Sequence, residues 1–190
     1  LATLAGEYFH ISPRATAVCL LPFQSLGAAV LKGKVVDAAS GKIIPVRLSI
    51  HSLKGTAYFA ESAAKAGSAI KYDKQRSPTS VEQHVTLSAH AFQVDRPPGE
   101  YRVSAYQCKE YIPATEAVHV KDQSVEVTVS LKRWTNMASR CWYSGDTHVY
   151  RLVQALPNVM RAEDLNVALP LTNWVTISDQ PPSRSNLNTG

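Results

Sequence analysis

Cysteine is scarce: Cys19, Cys108 and Cys141 are the only thiols in 190 residues, an odd number at wide spacing. No CxxC pair and no Cys/His cluster occurs, so neither a disulfide framework nor a structural zinc site is indicated. The one pairing left open is Cys108 with Cys141, which geometry would have to permit. Basic runs are lacking too. The formal charge of +5 comes from residues set singly, such as Lys32, Lys42, Arg47, Lys71, Arg102 and Lys121. Without a basic stripe or a nucleic-acid-binding motif, that charge reads as solvated surface, and no nucleic-acid partner is expected. A glycine-rich phosphate loop, a serine nucleophile elbow and a cysteine nucleophile context are also missing.

What is present is a globular composition: 45% apolar and 18% charged residues, enough for a packed core. From Ala15 to Val30 an apolar stretch follows Arg14 and ends in small residues, the pattern of a secretory signal. It predicts export to a periplasmic or extracellular location, with an ordinary buried strand as the alternative. Pro22 and Gln24 interrupt it, so no stable membrane span is expected.

From Leu31 to Leu131 the period is that of strands. Leu31 to Asp37 is β-branched and ends in an Asp-Ala-Ala-Ser-Gly turn. Val46, Leu48 and Ile50 alternate with Arg47, Ser49 and His51, as on a sheet with one buried face. Ala60 to Ser80 shows no period and reads as an extended loop. Gln83 to Val94 reads as the next strand, with Val85, Leu87 and Ala89 on one face, and Arg96-Pro-Pro-Gly-Glu100 as a tight turn. Tyr101, Val103 and Ala105, then Ala117 to Val120, then Val125, Val127, Val129 and Leu131 supply further strands. Several short strands with turns between them predict a mainly β fold, a Greek-key sandwich of about 100 residues.

After Lys132 the character changes. Trp134 to Arg140 is a mixed connector; Cys141 to Tyr150 opens a new strand. Asn158 to Val167 reads as a helix with Val159, Ala162 and Leu165 on one face and Pro157 beside its start. Ala168 to Ile177 reads as a strand, which makes strand, helix, strand, the order of a parallel α/β fold. The remainder, rich in Pro, Ser and Asn, reads as a frayed end.

Asp146-Thr147-His148 is the polar cluster with chemical promise. On a strand, Asp146, His148 and Tyr150 would project to one side. A carboxylate and an imidazole at a strand end suit Zn, Mn or Fe, whose bound water is activated for hydrolysis. The alternative is an Asp in a turn and a hydrogen-bonded His. The other histidines, His10, His51, His84, His90 and His119, show no ligand spacing, and Glu163-Asp164 reads as a solvated helix face.

Gly145-Asp-Thr-His-Val-Tyr-Arg151 resembles the first metal motif of the polymerase-and-histidinol-phosphatase (PHP) superfamily, more particularly the carbaryl-hydrolase-like (CehA/McbA-type) metallohydrolases. Arg133-Trp-Thr-Asn-Met-Ala138, Cys141-Trp-Tyr-Ser-Gly-Asp146 and the segment from Leu156 to Trp174 carry the same resemblance. Gly33-Lys-Val-Val-Asp-Ala-Ala-Ser-Gly41 and Arg96-Pro-Pro-Gly-Glu-Tyr101 are similar to a carboxypeptidase-regulatory-like sandwich. The resemblance spans about Leu31 to Trp174. It implies a metal site that uses Asp146 and His148, and a sandwich followed by the incomplete β-α-β start of a PHP-type (β/α) barrel. Two positions depart from it: Tyr150 stands where the family has a second His, and Thr172-Asn173-Trp174 where the superfamily often has Thr-Asp-His.

The expected organisation is therefore a signal-like or disordered segment over 1–30, a β-sandwich over 31–132, the barrel start over 133–177 and a flexible tail over 178–190. Two donors fall short of the three or four protein ligands a catalytic metal needs. The resemblance thus implies an N-terminal fragment that is inactive and metal-free alone and whose partner is the barrel domain or another protein surface. The rival reading is a non-catalytic sandwich that contacts carbohydrate or protein. The sequence offers no evident aromatic cluster for it, since Tyr101, Tyr106 and Tyr111 fit core or edge positions equally well.

Overall fold

Strands form where β-branched and aromatic residues alternate with polar ones, and turns where Asp, Gly and Pro interrupt them. The computed structural model describes residues 29–174, 179–182 and 184–185. The signal-like reading of residues 1–30 therefore falls, but for Ala29 and Val30, outside the described residues, as do His10 and Cys19.

Strand β1 (Ala29–Asp37) ends where both the backbone N–H and the hydroxyl of Ser40 donate to Asp37 Oδ1 at 2.7 Å, and Gly41 closes the turn at φ 69°. β2 (Val46–Ser52) follows, and the short β3 (Ala57–Tyr58) folds back on it. Then come β4 (Glu61–Ser62), β5 (Ala69–Ser77), β6 (Ser80–Leu87), β7 (Phe92–Arg96) and β8 (Gly99–Tyr106). β9 (Tyr111–Ile112), β10 (Ala114–Val120) and β11 (Val125–Arg133) complete the β region.

One sheet has the order β4-β7-β1-β11-β9; the other is β10-β8-β2-β6-β5, with β3 beside β2. β1 runs parallel to β11 and antiparallel to β7. Leu31, Val35, Phe92, Val129 and Leu131 of the first sheet join Val46, Leu48, Ile50, Val85 and Val103 of the second in one apolar cluster. Two sheets burying a shared core make the protein mainly β and agree with a sandwich. Among the described residues no helix is long and apolar enough to cross a membrane.

Within the first sheet, Gly33 of β1 sits tightly between Phe92 of β7 and Val127 of β11. A Cβ there would lie 2.5 Å from Phe92 Cζ and 2.7 Å from the Val127 carbonyl oxygen. Phe92 is fully buried in the core, and the Val127 backbone is held by its pairing with β1. Gly33→Ala is therefore expected to lose about 1–3 kcal/mol, the usual range for overpacking, read as a lower urea midpoint. An unchanged midpoint would mean that the strands separate there without cost.

Two sequence expectations are corrected. Ala60 to Ser80 is not a loop: it holds β4 and the nine-residue β5. β5 is an edge strand, paired on one side by β6 and largely exposed, so it needs no apolar period. Gln83 to Val94 is not one strand either. It breaks after Leu87, the chain crosses to the other sheet, and Ala89 lies exposed in the crossing.

Beyond β11, one turn of 3₁₀ helix (Ala138–Arg140) leads to β12 (Gly145–Val149), α1 (Leu156–Ala162) and β13 (Val167–Pro170). β12 and β13 pair in parallel across the helix. Pro157 sits in the first turn of α1, where its missing N–H costs no helical bond. The helix is shorter than the expected 158–167, because Asp164 adopts φ 52° and turns the chain away. Leu156, Val159 and Ala162 are buried, and α1 lies against β6 and β2, on the sheet face away from the core. That covering is why His84 and Thr86 are buried along with Val85 and Leu87. The expected strand 168–177 is divided: β14 (Asn173–Trp174) pairs with β15 (Arg184–Ser185), which lies within the segment read as a tail. Residues 175–178 lie outside the described residues.

Candidate functional site

β12 presents Asp146 and His148, and its register is irregular. Asp146 pairs with Ala168 and Val149 with Pro170, so three steps on β12 face two on β13. One extra residue breaks the two-residue alternation and re-aims side chains on the bulged strand. Asp146 Oδ1 accepts the His148 backbone N–H at 2.9 Å, a local turn bond. The His148 ring turns to Tyr150 instead, with Nε2 and the phenol oxygen 2.8 Å apart. Tyr150 in turn meets Trp174 edge-on at 5.0 Å. The structure thus brings the His148 and Tyr150 side chains together, while Asp146 lines a neighbouring cleft that includes neither of them.

The donor chemistry is correspondingly limited. Asp146 and His148 are exposed, one carboxylate oxygen serves the backbone and one imidazole nitrogen serves a phenol. Among the described residues no group of three or more His, Cys, Asp or Glu side chains is placed to hold a metal ion. These two residues alone do not fit a catalytic divalent metal, which needs three protein donors and an open position.

The cleft measures about 540 Å³ and lies between the second sheet and the β12–α1 segment. Ion pairs fasten its walls. Arg47 on β2 binds Glu163 at the end of α1 and also lies 3.5 Å from Glu82. Arg133 at the end of β11 binds Asp164, and lies 3.1 Å from Glu110. Asn158 donates to the Thr86 carbonyl at 3.0 Å, and Arg151 stands over the Tyr72 ring at 4.3 Å. Glu163 and Asp164, expected as a solvated face, are therefore the groups that join the helix end to the sheets. Burial opposes the Arg133 charge, but Asp164, Tyr111 and Glu110 outweigh it and raise its pKa.

Cys108 faces this cleft as a free, buried thiol whose pKa is pushed up by burial, which makes it a poor nucleophile. Cys141 is free and exposed, so the pairing left open in the sequence is not formed.

No protein-family model matches this chain, and no curated protein matches it.

Among the described residues, three other histidines have identified surroundings. His90 Nδ1 is 2.9 Å from the Ser88 hydroxyl, His119 lies 3.7 Å from Glu100, and His84 is buried under the helix segment. Tyr101 and Tyr111 are core residues, and Tyr106 is half-buried with Arg47 over its ring. Sequence reasoning missed a different aromatic pair, Trp142 and Tyr143, 70% and 67% exposed. Their signal was visible as adjacent aromatics in a segment with no apolar period to bury them.

Proposed function

We propose that the chain is the N-terminal portion of a metal-dependent hydrolase of the PHP type, similar to the carbaryl-hydrolase-like group. In this reading a Greek-key sandwich of the carboxypeptidase-regulatory kind precedes the first elements of a (β/α) barrel. The observation that carries it is the parallel β12–α1–β13 unit with Asp146 and His148 on its first strand. A parallel pair joined by a helix is the repeating unit of such barrels, and ligands gather at strand ends.

Among the described residues, the unit is supported from one side. α1 rests on β6 and β2, while Val167 and Leu169 of β13 and Leu152 in the connection from β12 to α1 remain about half exposed. A two-stranded parallel sheet with uncovered apolar residues calls for neighbouring strands. Those strands would bring the donors that Asp146 and His148 lack, and a divalent metal held there would supply activated water for an ester, amide or phosphoester. The Arg47–Glu163 and Arg133–Asp164 pairs favour a supporting role for the sandwich, as the platform on which the first barrel elements are set.

The test is a comparison of metal content and turnover. The 190-residue protein, loaded with Zn²⁺ or Mn²⁺ and passed through gel filtration, is expected to keep well under one equivalent and to hydrolyse neither aryl esters nor aryl phosphates. A chain extended with the sequence encoded beyond Gly190 is expected to gain both properties and to lose them in His148→Ala. An extended chain that stays metal-free, or chelator-sensitive turnover by the 190 residues alone, would refute the reading.

A further inference from the structure

The segment between the 3₁₀ turn and β12 holds two large aromatic side chains in the open. Trp142 and Tyr143 are 70% and 67% exposed, yet their backbone is fixed at both ends. The Trp142 N–H donates to the Met137 carbonyl at 3.1 Å, with Cys141 in the left-handed region at φ 62° closing the turn. Two residues on, the Ser144 N–H and hydroxyl both reach Asn166 Oδ1, at 3.1 and 3.3 Å. Rings left in water on a pinned backbone are placed for contact with something outside the core.

They border a groove of about 350 Å³, within the range of small-molecule sites. Asn136, Asn166, Glu110, Arg133 and Asp164 also line it, together with Met137 and Ala138. The charges there are engaged with one another. Arg133 binds Asp164 and lies 3.1 Å from Glu110, whose other oxygen accepts the Met137 N–H at 3.2 Å. One guanidinium against two carboxylates offers nothing to an anion, and the engagement of those carboxylates leaves little for a cation. Both amide oxygens serve the chain itself, Asn166 Oδ1 toward Ser144 and Asn136 Oδ1 toward the Ser139 N–H at 3.3 Å. The amide N–H groups of the two Asn and the aromatic faces are therefore what the groove offers a neutral ligand with hydroxyl edges and apolar C–H faces.

We propose that this groove binds a neutral oligosaccharide, with a pyranose ring stacked on Trp142 or Tyr143 and its hydroxyl oxygens accepting from the side-chain amide N–H groups of Asn136 and Asn166. Pyranose rings in β-linkage present flat C–H faces to aromatic rings and equatorial hydroxyls to planar amides. The groove lies at the start of β12, whereas His148 is near its end, roughly 10 Å along the strand at the usual rise per residue. Asp146 is two residues past Ser144 but lines the other cleft and not this groove, so neither residue of the metal reading takes part in the proposal.

Calorimetric titration of the 190-residue protein with cellohexaose, laminarihexaose and hexa-N-acetylchitohexaose tests it. Saturable binding of at least one is expected, with a dissociation constant on the order of 0.1–1 mM, unchanged by chelator. Trp142→Ala should weaken it at least about tenfold. Trp134→Ala, which removes an equally exposed ring (63%) outside the groove, should leave it unchanged. Thermal unfolding of each variant keeps loss of fold distinct from loss of binding. Absence of saturable heat up to about 10 mM sugar, or equal loss in Trp134→Ala, would overturn the proposal. So would sedimentation showing a dimer that Trp142→Ala dissociates, since the groove would then be an interface between copies.

Discussion

Acidification from pH 7 to about pH 4 is expected to remove about 3 kcal/mol of folding stability through His84 alone. Its side chain is 3% exposed on β6, stacked on Tyr72 at 4.9 Å, with Nε2 buried and without a hydrogen-bond partner among the described residues. Burial first, and then the Arg47 and Arg151 cations, lower its pKa from 6.5 to about 4. Glu82, 3.6 Å from Nδ1, favours the imidazolium without outweighing them. The unfolded chain takes up the proton near pH 6.5, whereas the folded protein resists until about pH 4. Between those values the unfolded state binds more protons, so stability is fully present above about 6.5 and declines as the pH falls. Urea unfolding measured every half unit should show this slope. His84→Phe, which keeps a ring against Tyr72, should flatten it; parallel decline of both proteins would discard the assignment. Because Arg151 belongs to the helix segment, the slope also reports whether that segment stays seated on the sheets.

His84 also illustrates what the sequence conveyed and what it did not. Val46, Leu48 and Ile50 alternate in the sequence and point into the core, because β2 has neighbours in one layer and a single apolar face. β6 carries four successive buried residues, from His84 to Leu87, since the core covers one face and α1 the other. No two-residue rule finds a strand covered on both sides when one cover arrives from about 70 residues later in the chain. The charged edge strand β5 was illegible for the opposite reason: nothing covers most of it, so nothing selects apolar side chains. At the candidate site, His148 beside Tyr150 follows from spacing alone. The turning of Asp146 toward the cleft follows from a bulge set by pairing with β13, which local sequence does not specify. The Trp142–Tyr143 pair was legible as residues, but its exposure depends on where Met137 and Asn166 pin the backbone.

Replacing Arg96 by methionine is expected to stabilise the protein by about 1–4 kcal/mol, against the usual direction of core substitutions. In the sequence Arg96 begins a turn, but in β7 it falls on the inward side with Phe92 and Val94. It is 2% exposed, and none of its three guanidinium nitrogens makes a well-aligned hydrogen bond among the described residues, the Tyr101 side chain being the neighbour that supports its charge. Burial lowers its pKa; the neighbouring Tyr101 and Asp95 favour the charged form but do not offset the loss of water. The compensating contact is the guanidinium over the Tyr101 ring at 4.9 Å. Such a contact is worth about 0.5–2 kcal/mol, less than the several kcal/mol needed to desolvate a cation. Methionine fills a similar volume, packs its thioether on the same ring and carries no charge to desolvate. Arg96→Ala should do worse than methionine, because it opens a cavity beside Tyr101 as it removes the charge. The decisive measurement is the urea midpoint of both variants at pH 7. A lower midpoint for Arg96→Met than for the wild type would show that the buried guanidinium stabilises the fold.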